Sequence, residues 1–246
     1  MGVALLPGPF FSTVVLCGQA IMDSGTDQQK EIFLGAIAAG GLVVACALTE
    51  PSARYDAAGI TLRADRSDGD YVINGIKMFV PDAQCADYLL VVARTSEGVR
   101  PQDGISLLLV DVRTHGISIN PLQVMGIDKQ AEVVFQDVRV PSENLLGFPD
   151  GGWPIVEKLL AWGAVGKCIE SVGGAQMAFK HFQLFSVFQA DDVVGCYRFA
   201  NRNRRFQPLC AAAAIAIEGT QGPEHGIDDI GNFRRRQGVV ADIGRN

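Results

Sequence analysis

The segment ALTEPSARYDAAG, residues 47–59, contains the residue types in this chain that are best suited to binding a ligand or taking part in a reaction. A threonine, a glutamate and a proline follow directly after the apolar run of residues 42–48. Because proline has no N–H, Pro51 prevents this run from continuing as a central strand. The backbone polar groups at this point must therefore find other partners, and a polar ligand would supply them. The alternative is a simple strand exit, in which local turns satisfy Thr49 and Ser52.

Three further features have plain structural interpretations. Asp82 and Asp87 lie in a predicted turn, where aspartate commonly caps the backbone rather than acting as a base. Arg139 alternates with two valines and is expected to face solvent from a strand. The apolar stripe over residues 153–177 has helical spacing and is expected to belong to the core.

The elements that must position the 47–59 segment follow from the hydrophobic periodicity. Residues 10–22 and 26–40 are predicted to be helices, with Thr26 as the N-cap of the second, and 153–179 to be a long helix. A period of two predicts strands in six stretches: 42–50, 59–80, 88–95, 105–112, 116–123 and 131–140. The SDGD sequence at 67–70 predicts a hairpin turn. The expected fold class is α+β, an antiparallel β-barrel or sandwich flanked by helices.

Composition excludes several classes of protein. The 246 residues carry a net charge of −6, so no basic surface favours nucleic acid as a partner. Six scattered cysteines and three isolated histidines give no metal-ligand spacing and no disulfide framework, so we expect no metal. No apolar run approaches the roughly 20 residues that a bilayer requires, and no basic segment precedes the first apolar stretch. We therefore expect neither a membrane span nor a signal peptide, and a cytoplasmic location.

Four motifs, in this order, resemble the acyl-CoA dehydrogenase family, in its bacterial branch with an FVPDA turn. They are ALTEPSARYDAAG at 47–59, DYVINGIKMFVPDAQCADYLLVVART at 70–95, VVFQDVRVPSENLLG at 133–147 and GGAQMA at 173–178. The similarity covers roughly residues 3–179. It implies FAD as cofactor, an acyl-CoA thioester as substrate, an electron-acceptor flavoprotein as partner, a homo- or hetero-oligomer, and a place in fatty acid metabolism.

The resemblance also implies a set of site residues. The segment matching 46–55 lines one edge and face of the flavin ring, which assigns Cys46, Ala47, Leu48 and Thr49 to cofactor binding. Phe79, Val80 and Pro81 complete this set. Phe79 matches an aromatic residue beside the flavin, and Pro81 stands where many members have a threonine. Tyr55 replaces a frequent serine and is assigned to substrate binding.

The domain organisation implied by the resemblance is incomplete. Residues 1–40 correspond to a remnant of the N-terminal helical domain, 41–148 to the middle β-domain and 149–179 to the start of the C-terminal helical domain. The family's catalytic base and its Arg-x-Gln-Phe-Gly motif for the FAD pyrophosphate lie beyond the point matching Ala178, and neither is found here. The catalytic residues are therefore unassigned, and an impaired enzyme is expected. The alternatives are a non-catalytic module that binds acyl-CoA or a partner, and a misfolding product with no function.

Residues 180–246 form an unmatched tail of unclear fold. This stretch holds eight arginines and a single lysine and has no sustained period of two or 3.6. One hypothesis is a frameshift in the coding sequence after the codon for about residue 179. The other readings are disorder and a divergent but folded region.

Overall fold

A computed structural model describes residues 8–126 and 128–188 of the chain. Helix α1 comprises Phe11–Gly18 and Gln19–Ser24, and helix α2 comprises Asp27–Gln29, Lys30–Leu34 and Gly35–Ala38. Eight strands follow: β1 Val44–Ala47, β2 Arg63–Ser67, β3 Asp70–Pro81, β4 Tyr88–Arg94, β5 Ile105–Asp111, β6 Ile117–Pro121, β7 Gln130–Val140 and β8 Leu145–Leu146. Helix α3 spans Trp153–Phe188. The α+β class predicted from the sequence is confirmed.

The eight strands form one sheet that is mixed and not closed. Its order is β6-β7-β3-β2-β4-β5-β8, and β1 pairs with β4. Most neighbours are antiparallel, as predicted, but β1 runs parallel to β4, with Val44 opposite Tyr88. Parallel neighbours need a long crossover connection, and the β2–β3 hairpin lies within the chain between these two strands. β2 also runs parallel to β4, with Arg63 opposite Arg94, so the purely antiparallel expectation is corrected for these two pairs.

Both faces of the central strands are buried in separate apolar layers. Along β4, Leu89 and Val91 belong to the layer that all the long strands share, whereas Leu90 and Val92 belong to a second layer. That second layer also contains Ile21, Val156 and other residues of α1 and α3. A strand that is buried on both faces has a continuous apolar sequence, and β4 contains such a sequence, LLVVA. The helices therefore cover the face of β1, β4 and β5 that the sheet itself leaves open.

Local signals in the sequence correspond to observed turns and caps. Asp68 and Gly69 have φ angles of 54° and 92°, which a two-residue hairpin requires at both central positions. The Thr26 hydroxyl accepts a hydrogen bond from the Gln29 N–H, and the Gln29 side chain accepts one from the Thr26 N–H. The predicted hairpin and N-cap are thereby confirmed.

Two features differ from the sequence-based expectation. The two-residue strand β8 was not predicted, since it has too few residues to show a period. Helix α3 continues to Phe188, whereas no periodic element was predicted after residue 179; the sequence from 180 to 188 contains neither Gly nor Pro, the residues that most disfavour a helix. Within the described residues no helix has the length and apolar content needed to cross a membrane. The rest of the predicted tail lies outside the described residues.

Candidate functional site

The end of β1 forms the first part of the candidate site. Cys46 and Ala47 belong to the strand, and Leu48 and Thr49 continue the buried run beyond its last residue. The Thr49 carbonyl accepts a hydrogen bond of 2.8 Å from the Met78 N–H, which ties this end to β3. In the described part of the chain, no hydrogen bond involves the Thr49 hydroxyl, and no side-chain polar atom is both fully buried and unpartnered. This hydroxyl therefore keeps some contact with solvent, although Thr49 as a whole is only 8% exposed.

The second part of the site is a β-bulge in β3. The pairing of β3 with β7 has two register shifts, the first between Ile73 and Gly75. The second follows Lys77, which lies opposite Val133, and pairing resumes at Val80, opposite Ala131, so β3 contains one extra residue in this second interval. Phe79 lies in this interval with a φ of 54°, a left-handed conformation that is rare for a bulky residue. The extra residue reverses the alternation, so that Val80 is buried while Phe79 is 41% exposed. The bulge thus presents an aromatic ring at the surface beside the end of β1.

A buried ion pair lies directly behind these two segments. The Lys77 Nζ is 2.8 Å from Glu50 Oε1 and donates a second hydrogen bond of 2.9 Å to the Leu48 carbonyl. Both side chains are almost completely shielded from solvent. The Glu50 carboxylate also accepts hydrogen bonds from the N–H groups of Thr61 and Leu62 and from the Thr61 hydroxyl. Every buried charge here is consequently paired, as burial demands.

The protonation of this pair follows from its surroundings. Burial lowers the pKa of Lys77 from its ordinary 10.5 to about 8, and the opposing charge of Glu50 offsets only part of that effect. Burial alone would raise the pKa of Glu50, but the Lys77 charge and the hydrogen bonds from Lys77, Thr61 and Leu62 together hold it below its ordinary value. At neutral pH the pair is therefore ionised, and Lys77 becomes neutral as the pH rises above about 8 while Glu50 stays charged.

Helix α1 contacts both β1 and the residue that follows β3. The Thr13 hydroxyl donates to the Val44 carbonyl at 3.1 Å and lies 3.2 Å from the Val44 N–H. The Ser12 hydroxyl donates to the carboxylate of Asp82, one residue beyond β3. Asp87 accepts from the Val43 N–H at 2.9 Å. The backbone contact expected of a turn aspartate is present for Asp87, whereas Asp82 accepts from a side chain and makes no hydrogen bond that caps the turn at 83–85.

The other sequence-derived assignments lie at different places. Pro81 ends β3 and is half-buried, next to the bulge. Tyr55 lies in the loop after Pro51 and is 64% exposed, away from the buried strand end. Arg139 faces solvent, as predicted, and pairs with Asp68 at 3.3 Å. The structure therefore brings together the strand end and the bulge, and leaves Tyr55 on a separate exposed loop.

The residues that sequence reasoning missed are Glu50 and Lys77. A signal for Lys77 was present, because Tyr71, Ile73 and Lys77 occupy the same face of β3 by their period of two. A lysine on an inward-facing position needs a buried partner. Glu50, directly after a buried strand, was the available candidate. The strand periodicity was sufficient to raise this question but not to identify the partner.

Comparison with known proteins identifies the β-domain. Residues 45–138 match the family described as acyl-CoA dehydrogenase, middle domain. The chain contains an acyl-CoA dehydrogenase middle domain. Acyl-CoA dehydrogenase FadE26 of Mycobacterium tuberculosis is 38% identical over 161 residues, covering 64% of this chain and 40% of that relative. The structure of butyryl-CoA dehydrogenase from Megasphaera elsdenii superposes with a TM-score of 0.66 at 35% identity, covering 72% of this chain and 46% of that one.

A third relative is named as part of a larger assembly. The caffeyl-CoA reductase-Etf complex subunit CarC of Acetobacterium woodii is 36% identical over 168 residues, covering 66% of this chain and 44% of that protein. This chain thus spans less than half the length of each of these three relatives. The resemblance inferred from the four motifs is confirmed for the middle domain.

The groups present in this acyl-CoA dehydrogenase domain fit one edge and one face of a flavin. A flavin ring is planar and aromatic, with carbonyl oxygens and ring nitrogens along its edge. The unpartnered Thr49 hydroxyl suits such an edge, and the exposed ring of Phe79 suits such a face. The described residues contain no group of acidic, cysteine or histidine side chains able to hold a metal ion. A surface cavity of about 340 Å³ lined by Tyr88, Asp111 and Arg139, among others, includes none of the assigned residues.

Proposed function

We propose that this chain is an acyl-CoA dehydrogenase-like flavoprotein that binds FAD at the end of β1 and the bulge of β3. The reaction is the α,β-dehydrogenation of an acyl-CoA thioester to the 2-enoyl-CoA, a step of fatty acid metabolism. Bound FAD would supply the acceptor for the hydride. The observation that carries the proposal is the exposed aromatic ring of Phe79, held in a left-handed conformation beside the free Thr49 hydroxyl.

Each assigned residue has a physical role in this proposal. Thr49 provides a hydroxyl to the edge of the ring, and Phe79 packs against its face. Cys46, Ala47 and Leu48 are buried and shape the strand end, so they fix the position of Thr49 rather than reach the ring with long side chains. Val80 anchors the bulge in the core. Pro81 has no N–H, so the polar contacts on that side come from neighbouring groups.

Glu50 does not suit the role of catalytic base. A general base must be able to reach the proton that it removes, and Glu50 is 3% exposed and bound to Lys77, Thr61 and Leu62. Asp82 is held by Ser12. We therefore assign no catalytic base and infer that the chain is impaired when it acts alone. The domain limits 1–40, 41–148, 149–179 and 180–246 stay predictions, as does the frameshift hypothesis.

The proposed substrate and protein partners rest on the resemblance to acyl-CoA dehydrogenases. We infer an acyl-CoA substrate and an electron-acceptor flavoprotein, in support of which the similar CarC is named as a subunit of an Etf complex. An oligomer with an intact homologue would supply a base, since we assign none among the described residues. Tyr55, exposed on its loop, is the candidate contact with the acyl-CoA. The cytoplasmic location expected from the sequence is part of this proposal.

A flavin-retention experiment tests the proposal. The purified protein is mixed with excess FAD, passed through a desalting column and examined by visible absorbance. We expect a flavin band near one FAD per chain, and we expect Thr49→Val and Phe79→Ala to lower it. Lys158→Met, an exposed change on α3, is the control that leaves retention unchanged. Full retention in both site variants would refute the assignment of the site.

One specific observation favours the second candidate, a non-catalytic module that binds acyl-CoA or a partner. The two carboxylates nearest the site, Glu50 and Asp82, are both engaged in structural contacts. Binding of an acyl-CoA in the absence of FAD, measured by calorimetry, would support this module. Reduction of an artificial electron acceptor by the FAD-loaded protein with acyl-CoA would exclude it.

A further inference from the structure

The buried ion pair suggests a role that the motif resemblance did not assign. We propose that Glu50 and Lys77 are positioning residues for the flavin: their ion pair holds the end of β1 against the bulge of β3 in the arrangement that accepts the ring. This inference rests on the proposed function. It concerns two residues that touch neither substrate nor the reacting atoms and that act through Thr49 and Phe79.

Each member of the pair lies close in sequence to a residue that we propose to contact the flavin ring, namely Thr49 or Phe79. Glu50 follows Thr49 directly in the chain, and Lys77 precedes Phe79 by two residues. The Lys77 ammonium spans the gap, because it donates both to the Leu48 carbonyl at 2.9 Å and to Glu50 Oε1 at 2.8 Å. A backbone bond from the Met78 N–H to the Thr49 carbonyl runs alongside. Three hydrogen bonds thus link the strand end to the residues that enter the bulge.

The carboxylate extends this link to the start of β2. Its oxygens accept from the N–H groups of Thr61 and Leu62, at 2.9 to 3.0 Å, directly before Arg63 begins that strand. Glu50 thereby fixes three segments at one point: the end of β1, the approach to β2 and, through Lys77, the bulge. A side chain that joins three segments sets their relative position, which a single contact does not.

Stability alone does not account for such a pair. A buried ion pair is often no more stabilising than well-packed apolar residues of the same volume, because both charges must leave water. The left-handed conformation of Phe79 is also unfavourable for a residue with a Cβ, so the surrounding structure must impose it. Lys77 lies two residues before Phe79, which is where this constraint is needed.

The test compares FAD dissociation constants, measured by quenching of flavin fluorescence, across a double-mutant cycle. The variants are Lys77→Met, Glu50→Gln and the double variant, with exposed Lys158→Met as the matched control. We expect each single change to weaken FAD binding by at least about tenfold. The double variant should be no weaker than the worse single variant, because the two residues act as one unit. The control should bind like the wild type.

Two further readouts separate positioning from plain destabilisation. At saturating FAD, the visible absorbance band of the bound flavin should change shape in Glu50→Gln, which keeps the size of the side chain. Val138→Ala, a core change in β7, should lower the melting temperature without altering either that band or the dissociation constant. Should Lys77→Met fail to fold, Glu50→Gln alone decides the matter.

The outcomes distinguish this inference from the function on which it rests. A wild-type chain that retains no FAD overturns the proposed function, and the inference with it. A wild-type chain that binds FAD, with both single variants binding equally well and showing the same flavin band, overturns the inference alone. The inference would also be contradicted if the losses of FAD binding free energy in the two single variants added up in the double variant, since the two residues would then act independently.

Discussion

The protonation of Lys77 makes the stability of the chain depend on pH in a specific direction. The unfolded lysine has its ordinary pKa of 10.5, whereas burial lowers the folded value to about 8. Between these two values the unfolded chain binds more protons than the folded chain. The free energy of unfolding therefore rises with pH across this interval, and the cost of burying the charge is greatest below pH 8.

The size of this rise can be calculated from the difference between the two pKa values. Each unit of difference corresponds to about 1.4 kcal/mol, so the full rise is about 3 kcal/mol. The groups facing Lys77 are Glu50 and the Cys46 thiol. Glu50 stays ionised throughout, because its pKa lies below its ordinary value. Cys17 acts in the opposite direction: burial raises the pKa of its thiol, which therefore ionises in the unfolded chain first. Cys46 acts in the same direction as Lys77, because a hydrogen bond with Cys17 lowers the pKa of its thiol.

The assay is urea unfolding at several pH values from 7 to about 10.5. The informative quantity is the free energy of unfolding of the parent minus that of Lys77→Met, because titrations of groups that do not respond to Lys77 cancel in this difference. Both proteins carry Cys46→Ala, which removes the one thiol that responds to Lys77. The difference should rise by about 3 kcal/mol over this range. A flat difference would refute the argument, since it would mean that Lys77 has the same pKa in both states.

Three further predictions concern packing, capping and thiol exposure. Phe135→Ala, which empties a fully buried position in β7, should lower the free energy of unfolding by about 3–5 kcal/mol in urea titrations. Thr26→Ala should cost about 1 kcal/mol by removing the hydroxyl that accepts from Gln29, while Thr26→Ser should restore most of it. In the native protein a maleimide should modify exposed Cys85 and leave buried Cys17 intact until urea unfolds the chain, as measured by mass spectrometry.

Features with short-range causes were predicted from the sequence. The hairpin at Asp68–Gly69 needs only two residues that tolerate a positive φ, and the cap at Thr26 needs only a partner three positions later. The strands β4, β5 and β7 were predicted because their apolar runs are long enough to show a pattern. Such local signals fix where elements begin and end, and they were enough to place Thr49 at the end of a buried strand.

Features with long-range causes were not predicted. The parallel pairing of β1 with β4 joins Val44 to Tyr88, and no local pattern indicates which strand lies beside β1. The ion pair joins residues 27 positions apart. The bulge arises where β7 is one residue shorter than β3 over the same interval, a property of the pair and not of either strand. The candidate site was therefore located by motif resemblance, while its internal contacts needed the structure.

The bulge separates the buried ion pair from the exposed aromatic ring along β3. In a regular strand the period of two would place Lys77 and Phe79 on the same inward face and would turn Val80 outward. The extra residue keeps Lys77 inward, returns Val80 to the core and leaves the Phe79 ring at the surface. The regular alternation thus buries the charge of Lys77, and the one inserted residue after it exposes the aromatic ring of Phe79. Bulges are frequent next to active sites, where they re-aim a side chain, and this position is accordingly central to the proposed flavin site.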